Sequence, residues 1–194
     1  MRLDSLYQDV ILDHYRNPRS RGLRDPFDAE VHHRNPTCGD EVTLRVRVER
    51  TGATGVLADV SYAGQGCSIS QASASVLTEL VTGTSLARVE ATHAGFIGML
   101  RGTAPDDATS EVLQDAVAFA GVSQYPARVR CALLPWMALR EALVLESGDA
   151  APPGDPSPAG EPVPAGEPVQ AGGLAAPTGS AAHSDDTPTG EARP

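Results

Sequence analysis

The sequence predicts an α+β domain over residues 1–147 and a tail, residues 148–194, that we do not expect to fold. Two patterns predict the class of the domain: apolar residues alternate with polar ones in its first half, whereas its second half shows the spacing of helices. A third observation marks its end. The last 47 residues contain 10 of the 16 Pro and 8 of the 19 Gly, but no Trp, Tyr, Phe or Ile. Such a segment buries too little apolar surface to offset its ordering entropy.

The tail also carries most of the charge. Its seven acidic residues and one Arg contribute −6 to the net charge of −10, and the motif AGEPV occurs twice, at 159–163 and 165–169. A Pro-rich docking ligand is one interpretation, but no basic residue flanks a PxxP core. The composition favours a disordered, solubilising tail.

The first half of the domain is expected to contain one helix and a small sheet. Apolar residues recur at helical spacing from Leu3 to His14, and Asn17-Pro18 ends that helix. A strand is expected at about 28–34, just before the first Cys. Two alternating runs around the turn at 51–55 then predict a hairpin. Their inward residues are expected to be Val42, Leu44, Val46 and Val48, and Val56, Ala58, Val60 and Tyr62.

The second half is expected to be helical. The spacing predicts helices over about 68–81, 86–100, 108–120 and 127–146. Pro135 falls inside the last of these. Either that helix begins at about 132–134, which makes Pro135 a first-turn residue, or it kinks at Pro135.

The composition excludes several functions. The chain has 15 Arg, no Lys and 25 acidic residues, so a basic nucleic-acid interface is not expected. No apolar run reaches the roughly 18 to 20 residues of a membrane span, and the N-terminus does not resemble a signal peptide. Three Cys, an odd number, argue against a disulfide framework. We therefore expect a cytoplasmic protein that binds neither nucleic acid nor membrane.

Each cysteine falls at a junction between predicted elements. Cys38 precedes the first hairpin strand, Cys67 lies between the second strand and a helix, and Cys131 opens the last helix. Gly flanks the first two, which frees the backbone for a close approach. Metal ligation and three unconnected buried Cys are both consistent with this pattern. Because no CxxC pair is present, spacing alone favours three unconnected Cys.

Zinc is the natural candidate metal, and Asp40 is the candidate fourth ligand. In an extended strand, Cys38 and Asp40 would lie roughly 6.5–7 Å apart. Ligand atoms around zinc are only roughly 3.5–4 Å apart, so the loop must curl at Gly39. The helix that follows Cys67 favours its thiolate. Arg128 and Arg130 could offset the negative charge of three thiolates and a carboxylate.

Four distinctive segments occur in order: YQDVILDHYRNPRSRG at 7–22, NPTCGD at 35–40, GQGCSISQASAS at 64–75 and YPARVRC at 125–131. Together they resemble the IscU/NifU-type iron–sulfur cluster assembly family, and its SufU branch in particular. The resemblance covers about residues 3–145. It implies a SufE/NifU-like α+β fold, in which a three-stranded antiparallel sheet packs against about five helices. It also implies a metal site formed by Cys38, Asp40, Cys67 and Cys131.

Two departures from IscU-type scaffolds point to the SufU branch. Arg130 stands where IscU-type scaffolds have His, and no LPPVK-like stretch precedes it. The 63 residues between Cys67 and Cys131 also exceed the IscU spacing, with the extra stretch around residues 101–110. SufU proteins resemble scaffolds but act as zinc-dependent sulfur acceptors. The resemblance thus implies that this chain is a sulfurtransferase-like accessory protein of a SufS-type cysteine desulfurase that serves a downstream SUF scaffold complex.

Three functions are weighed on this basis. The leading one is zinc-dependent sulfur transfer, in which Cys38 accepts the persulfide sulfur and Arg128 gives charge support. The second is a scaffold that assembles a [2Fe–2S] cluster on the same ligands, with iron in place of zinc. The third, a structural zinc module, is disfavoured by the Asp ligand. Tyr7, Ile11 and Tyr15 are candidates for a desulfurase-docking face, or for core positions. The histidines His14, His32, His33 and His93 lack ligand spacing to any Cys.

Overall fold

The computed structural model describes residues 3–52 and 54–148, with side chains from Tyr7 onward. In these residues the chain forms an antiparallel sheet, five α-helices and one 3₁₀ helix, which confirms the predicted α+β class. The predicted tail lies outside the described residues except for Gly148. The strands are β1 (Ala29–Arg34), β2 (Glu41–Thr51), β3 (Thr54–Gln65) and β4 (Thr84–Ser85). The helices are α1 (Leu3–Arg16), α2 (Ser68–Val81), α3 (Leu86–Leu100), α4 (Asp107–Leu113), the 3₁₀ helix Gln114–Gln124 and α5 (Pro126–Ser147).

The sheet has the order β1-β2-β3-β4, with every neighbouring pair antiparallel. Its first three strands are those expected from the alternating pattern. The fourth is a two-residue strand that pairs with β3 through Leu57 and Thr84 and was not predicted. Two residues are too few to show a period of two, so this strand has no pattern of its own in the sequence.

One predicted face of the hairpin is wrong. Val60 and Tyr62 are buried as expected, but Val56 is exposed and its neighbour Leu57 is fully buried. The register shows why. Arg47 pairs with Asp59 and Val48 with Leu57, so Ala58 is an extra residue on β3. A bulge of this kind shifts the alternation by one position and reverses every side chain before it.

The helices cover one side of this sheet. Helix α5 packs against β1 and β2, and α2 packs between α1, α5 and β3. The core between these layers centres on Trp136, whose ring stacks on Phe96 at a centroid distance of 4.1 Å. Other fully buried side chains are Leu44, Leu57, Leu77, Phe119 and Leu139. This packing fixes α2 and α5 relative to the sheet, and both helices carry a cysteine at or near their first turn.

The helix predicted over 108–120 is two elements in the structure. Helix α4 ends at Leu113, and the 3₁₀ helix begins directly at Gln114, whose φ of 44° interrupts the α-helical backbone. A positive φ is uncommon in a residue that is not Gly. Nothing in the residue type of Gln114 indicates this break.

Helix α5 excludes one of the two alternatives for Pro135. The helix begins at Pro126, which occupies its first turn, and continues through Pro135 to Ser147. A start at about 132–134 is therefore wrong. Pro135 has no N–H to donate to the carbonyl of Cys131 four residues earlier. The carbonyl of Ala132, which follows Cys131, accepts a hydrogen bond from the Ser73 hydroxyl of α2 at 2.6 Å. This bond joins α5 to α2 close to Pro135.

Candidate metal centre

Two of the three cysteines lie where the sequence places them, at junctions on one end of the domain. Cys38 is exposed in the loop between β1 and β2, and Cys67 is exposed at the N-cap position of α2. Cys131 is buried, and it lies in the second turn of α5 rather than opening that helix, because the helix begins at Pro126.

The loop that carries Cys38 curls as the ligand spacing requires. The Asn35 amide donates to the Asp40 carbonyl at 2.8 Å, and the Gly39 amide donates to the Asn35 carbonyl at 2.9 Å. Gly39 has a φ of 78°, a conformation that favours Gly. The loop thereby brings Cys38 and Asp40 to the same side, close to Cys131.

The donor atoms of Cys38, Asp40 and Cys131 lie within 4.8 Å of one another. The sulfur atoms of Cys38 and Cys131 are 3.5 Å apart. Zinc bonds of about 2.3 Å to sulfur and 2.0–2.2 Å to oxygen place neighbouring ligand atoms at comparable distances. The arrangement is therefore consistent with a metal site that has two thiols and one carboxylate.

Asp40 is the most informative of these residues. Its side chain is buried, and its Oδ1 accepts a hydrogen bond from the Cys67 amide at 3.2 Å. Its Oδ2 is buried with no hydrogen-bond partner among the described residues. Buried carboxylate oxygens are costly unless a donor or a cation satisfies them. A cation among Cys38, Asp40 and Cys131 would do so, and the donor set therefore fits a metal ion.

The pKa values of the site follow from burial and from the thiols. Burial alone would raise the pKa of Asp40, but the nearby hydroxyl of Ser70 and the thiols of Cys67, Cys131 and Cys38 outweigh it, so the pKa lies below its usual value. Burial raises the pKa of the Cys131 thiol strongly, and Cys38, Cys67 and Asp40 raise it further. Without a cation, Cys131 is thus a neutral thiol beside an ionised carboxylate.

Cys67 lies next to this cluster but outside the group of three. Its thiol points to the Ser70 hydroxyl, at 3.7 Å. A Cβ added at Gly66 would come within 2.7 Å of Asp40 Cγ and 2.5 Å of Ser70 Oγ. Gly is therefore required before Cys67, because the backbone of this junction passes directly against the Asp40 carboxylate.

The structure gives the two arginines before Cys131 different neighbours. The guanidinium of Arg128 lies over the ring of Tyr125, 5.0 Å from its centroid. Arg130 donates from Nη1 to the Thr37 hydroxyl at 3.2 Å, so it contacts the loop that carries Cys38. The sequence offered no way to separate these two roles, because both residues precede Cys131 at short range.

A groove of about 630 Å³ lies beside the site. Tyr7 and Ile11 line it from α1, Ile69 from α2, and Tyr125 and Arg128 from α5. Tyr15 is exposed but does not line the groove. Of the histidines, His14 and His93 are buried away from the cluster, whereas His33 pairs with Glu141. Two of the groove's lining residues are close in sequence to the cysteines, since Ile69 follows Cys67 and Arg128 precedes Cys131.

Sequence reasoning missed two residues that hold the site together. Asn35 is buried and its side chain bonds to both the loop and Cys131, and Ser70 contacts Cys67. Asn35 stands at the start of the motif that contains Cys38, which is the one signal that could have drawn attention to it.

The model of the family described as NifU-like N terminal domain matches residues 6–132, which is more than half of the chain. The chain belongs to this family. It is an iron–sulfur cluster assembly protein of the IscU/SufU type, as its motifs predicted.

Two curated relatives and one solved structure illustrate the relationship. The chain is 39% identical over 147 residues to the zinc-dependent sulfurtransferase SufU of Bacillus subtilis, covering 75% of this chain and 95% of that protein. It is 36% identical over 142 residues to the iron–sulfur cluster assembly scaffold protein IscU of Streptococcus pyogenes, covering 73% and 85%. The crystal structure of the SUF-system scaffold protein FiSufU from Fervidobacterium islandicum aligns with a TM-score of 0.61 at 32% identity, covering 73% and 99%.

The same comparisons leave two activities within the family, because sulfurtransferase and scaffold relatives are similarly identical to this chain. None of the helices in the described ranges is long and apolar enough to cross a membrane.

Proposed function

We propose that this protein is a zinc-dependent sulfur acceptor that takes persulfide sulfur from a cysteine desulfurase and passes it to the cluster-building machinery. The observation that carries the proposal is an exposed thiol, Cys38, inside a donor set of the metal-binding type. A closed structural site would have no use for an exposed ligand on a loop. A sulfur acceptor needs one, because its thiol must meet a sulfur on another protein.

The residues that would hold zinc are Cys38, Asp40, Cys67 and Cys131. Thiolate and carboxylate are both ligands that zinc accepts, and Asp40 Oδ2 is available for it. Zinc, when bound, keeps its thiol ligands ionised and so prepares them as nucleophiles. Cys67 is exposed beside the other three and would be the fourth ligand.

Cys38 is the residue best suited to accept sulfur. Its loop has a Gly next to it and its side chain is exposed, whereas Cys131 is buried in a packed helix. The Cys38 thiolate would attack the outer sulfur of the desulfurase persulfide. A new bond forms between the two sulfurs, the original persulfide bond breaks, and the desulfurase cysteine leaves as a thiolate. The persulfide is thereby transferred to Cys38 with no net oxidation or reduction.

The partners follow from this chemistry and from the relatives. A SufS-type cysteine desulfurase would supply the sulfur, and a downstream SUF scaffold complex would receive it. We assign charge support to Arg128, which stands on the groove beside the site and would face an incoming anionic persulfide. The desulfurase would dock at the groove, whose lining includes Tyr7 and Ile11.

The alternative is a scaffold that assembles a [2Fe–2S] cluster on the same residues. The identity to scaffold relatives supports it. The residue before Cys131 supports sulfur transfer instead, because Arg130 replaces the His of IscU-type scaffolds and bonds to the loop of Cys38.

Metal analysis of the purified protein, combined with its effect on desulfurase turnover, tests the proposal. We expect about one zinc per chain, no acid-labile sulfide, and faster turnover of a SufS-type desulfurase with cysteine as substrate. Iron and sulfide in place of zinc would establish the scaffold. Zinc without any effect on the desulfurase would establish a structural module.

A further inference from the structure

Asn35 is the most completely bonded residue of the loop that carries Cys38. It is buried, with an exposed fraction of 6%. Its main chain closes the loop by the two hydrogen bonds to Asp40 and Gly39 described above. Its side chain makes two more contacts: Oδ1 accepts from the Thr37 amide at 3.0 Å, and Nδ2 lies 4.0 Å from Cys131 Sγ.

The orientation of the Asn35 side chain follows from these partners. The Thr37 amide can only donate, so the atom that faces it must be the carbonyl oxygen of Asn35. The NH₂ group therefore faces Cys131, and an amide NH₂ can only donate. A donor that is aimed at sulfur favours a sulfur that carries negative charge, as a metal-bound thiolate does.

The two thiols of the cluster differ in this respect. Cys131 has Asn35 as a donor and the Ala127 carbonyl as an acceptor for its own proton, at 3.6 Å. Cys38 lies on the exposed side, 3.5 Å from Cys131, on the segment between the two ends that Asn35 closes.

We propose that Asn35 is a positioning residue that holds Cys131 and Asp40 in the metal site while Cys38 leaves it to accept sulfur. Its main chain fixes Asp40, and its side chain fixes the sulfur of Cys131, so only the four residues between Asn35 and Asp40 have to move. The departure of Cys38 rests on the proposed function. The contact of Asn35 with Cys131 does not, because it concerns only how the site retains its metal.

The test separates the two roles of the Asn35 side chain: its NH₂ group faces Cys131, and its Oδ1 accepts from the Thr37 amide in the loop. Asn35→Asp keeps an oxygen for the Thr37 amide but replaces the NH₂ donor with an anionic oxygen facing Cys131. Asn35→Ala removes both contacts. Asn17→Asp is the matched control, since Asn17 is exposed and, among the described residues, its side-chain amide bonds only to Asp13. If Asn35→Asp does not fold, Asn35→Ser, which can still accept from Thr37 but does not reach Cys131, takes its place.

Two measurements are needed, and neither uses the desulfurase. The first is zinc retention against a competing chelator, and the second is the sulfur-to-metal charge-transfer absorption of the Co²⁺-substituted protein. We expect zinc retention in Asn35→Asp to fall about 10- to 100-fold, as for other residues that support a metal ligand. The charge-transfer absorption of the Co²⁺-substituted Asn35→Asp variant should fall by the contribution of one thiolate ligand. Asn17→Asp should match the unmodified protein in both measurements.

The outcomes are distinct. If Asn35→Asp retains zinc like the control while Asn35→Ala does not, the side chain serves the turn alone and the proposal is wrong. If both variants retain zinc, Asn35 has no role in the site. If zinc retention depends on Asn35 but the protein accepts no sulfur, this inference stands and the proposed function is overturned.

Discussion

The two thiols that lie 3.5 Å apart in the site belong to regions held in different ways. The loop 35–40 carries Cys38 at the surface and is held by the hydrogen bonds of Asn35 with Thr37, Gly39 and Asp40. The first turns of α5 carry Cys131 in the interior, where Ser73 and Trp136 join that helix to α2. One residue type can therefore serve two functions in one site: a thiol that moves and a thiol that stays.

The buried side depends on a three-residue chain of contacts. Trp136 donates from its indole N–H to Ser73 Oγ at 3.0 Å, and Ser73 donates to the Ala132 carbonyl. All of these groups are fully buried, so each hydrogen bond satisfies a group that water cannot reach. On the exposed side, the loop that carries Cys38 is held through Thr37, which contacts the side chains of Asn35 and Arg130.

The largest expected effect comes from replacing the two cysteines in turn. Cys38→Ala should abolish stimulation of the desulfurase, yet change the unfolding free energy of the metal-free protein by less than about 0.5 kcal/mol, since Cys38 is exposed. Cys131→Ala should lose both zinc and stability, because a buried side chain is removed from a packed helix. Desulfurase turnover and urea unfolding measure the two effects. Equal losses of stability in both variants would remove the contrast between the two regions.

Ser73→Ala tests the buried side without touching a ligand. It leaves the Trp136 indole N–H and the Ala132 carbonyl without their side-chain partner, and we expect a loss of about 1–3 kcal/mol in unfolding free energy. Ser123→Ala is the matched control, because the Ser123 hydroxyl bonds only to a carbonyl three residues earlier in the 3₁₀ helix. Urea unfolding of both variants measures this loss. Equal losses of unfolding free energy would mean that Ser73 does not anchor α5.

Arg130→Ala tests the exposed side, with Arg128→Ala as its partner variant. Arg130 is the arginine that contacts the loop of Cys38, so its removal should speed alkylation of Cys38 by a thiol reagent in the metal-free protein. Arg128 lies on Tyr125, and its removal should leave that rate unchanged but weaken the response to the desulfurase. Stability should change by less than about 0.5 kcal/mol in each, since both are exposed. Faster alkylation in Arg128→Ala alone would reverse the assignment.

The smallest effect is expected from deletion of residues 149–194. The deletion keeps Gly148, whose amide donates to the Leu145 carbonyl and whose φ of 74° ends α5. We expect the same thermal transition and the same stimulation of the desulfurase as in the full chain, because both regions of the site lie before residue 132. Loss of the cooperative transition would mean that the domain extends past residue 148.

Much of this architecture could be predicted, and the misses have identifiable physical causes. The alternation of β2 and the periodicity of α2 are local, so they are visible in the sequence. The bulge at Ala58 is not local, because it depends on how β3 pairs with β2, and it reversed the predicted side of Val56. The break at Gln114 likewise rests on a backbone conformation that its residue type does not favour.

The candidate site shows the same division. Cys38 and Asp40 could be paired from their spacing, with Gly39 between them to allow the curl. The contact of Asn35 with Cys131 joins residues 96 positions apart, and that of Arg130 with Thr37 joins residues 93 apart. Only the packing of α5 on β1 and β2 brings them together.

The most direct test of the contrast between the two regions is to find where transferred sulfur resides. The zinc-loaded protein is incubated with a SufS-type desulfurase and cysteine, its thiols are alkylated, and its peptides are analysed by mass spectrometry. The account predicts one added sulfur atom on the peptide that contains Cys38, and none on the peptides of Cys67 or Cys131. Added sulfur on the Cys131 peptide, with Cys38 unmodified, would contradict it.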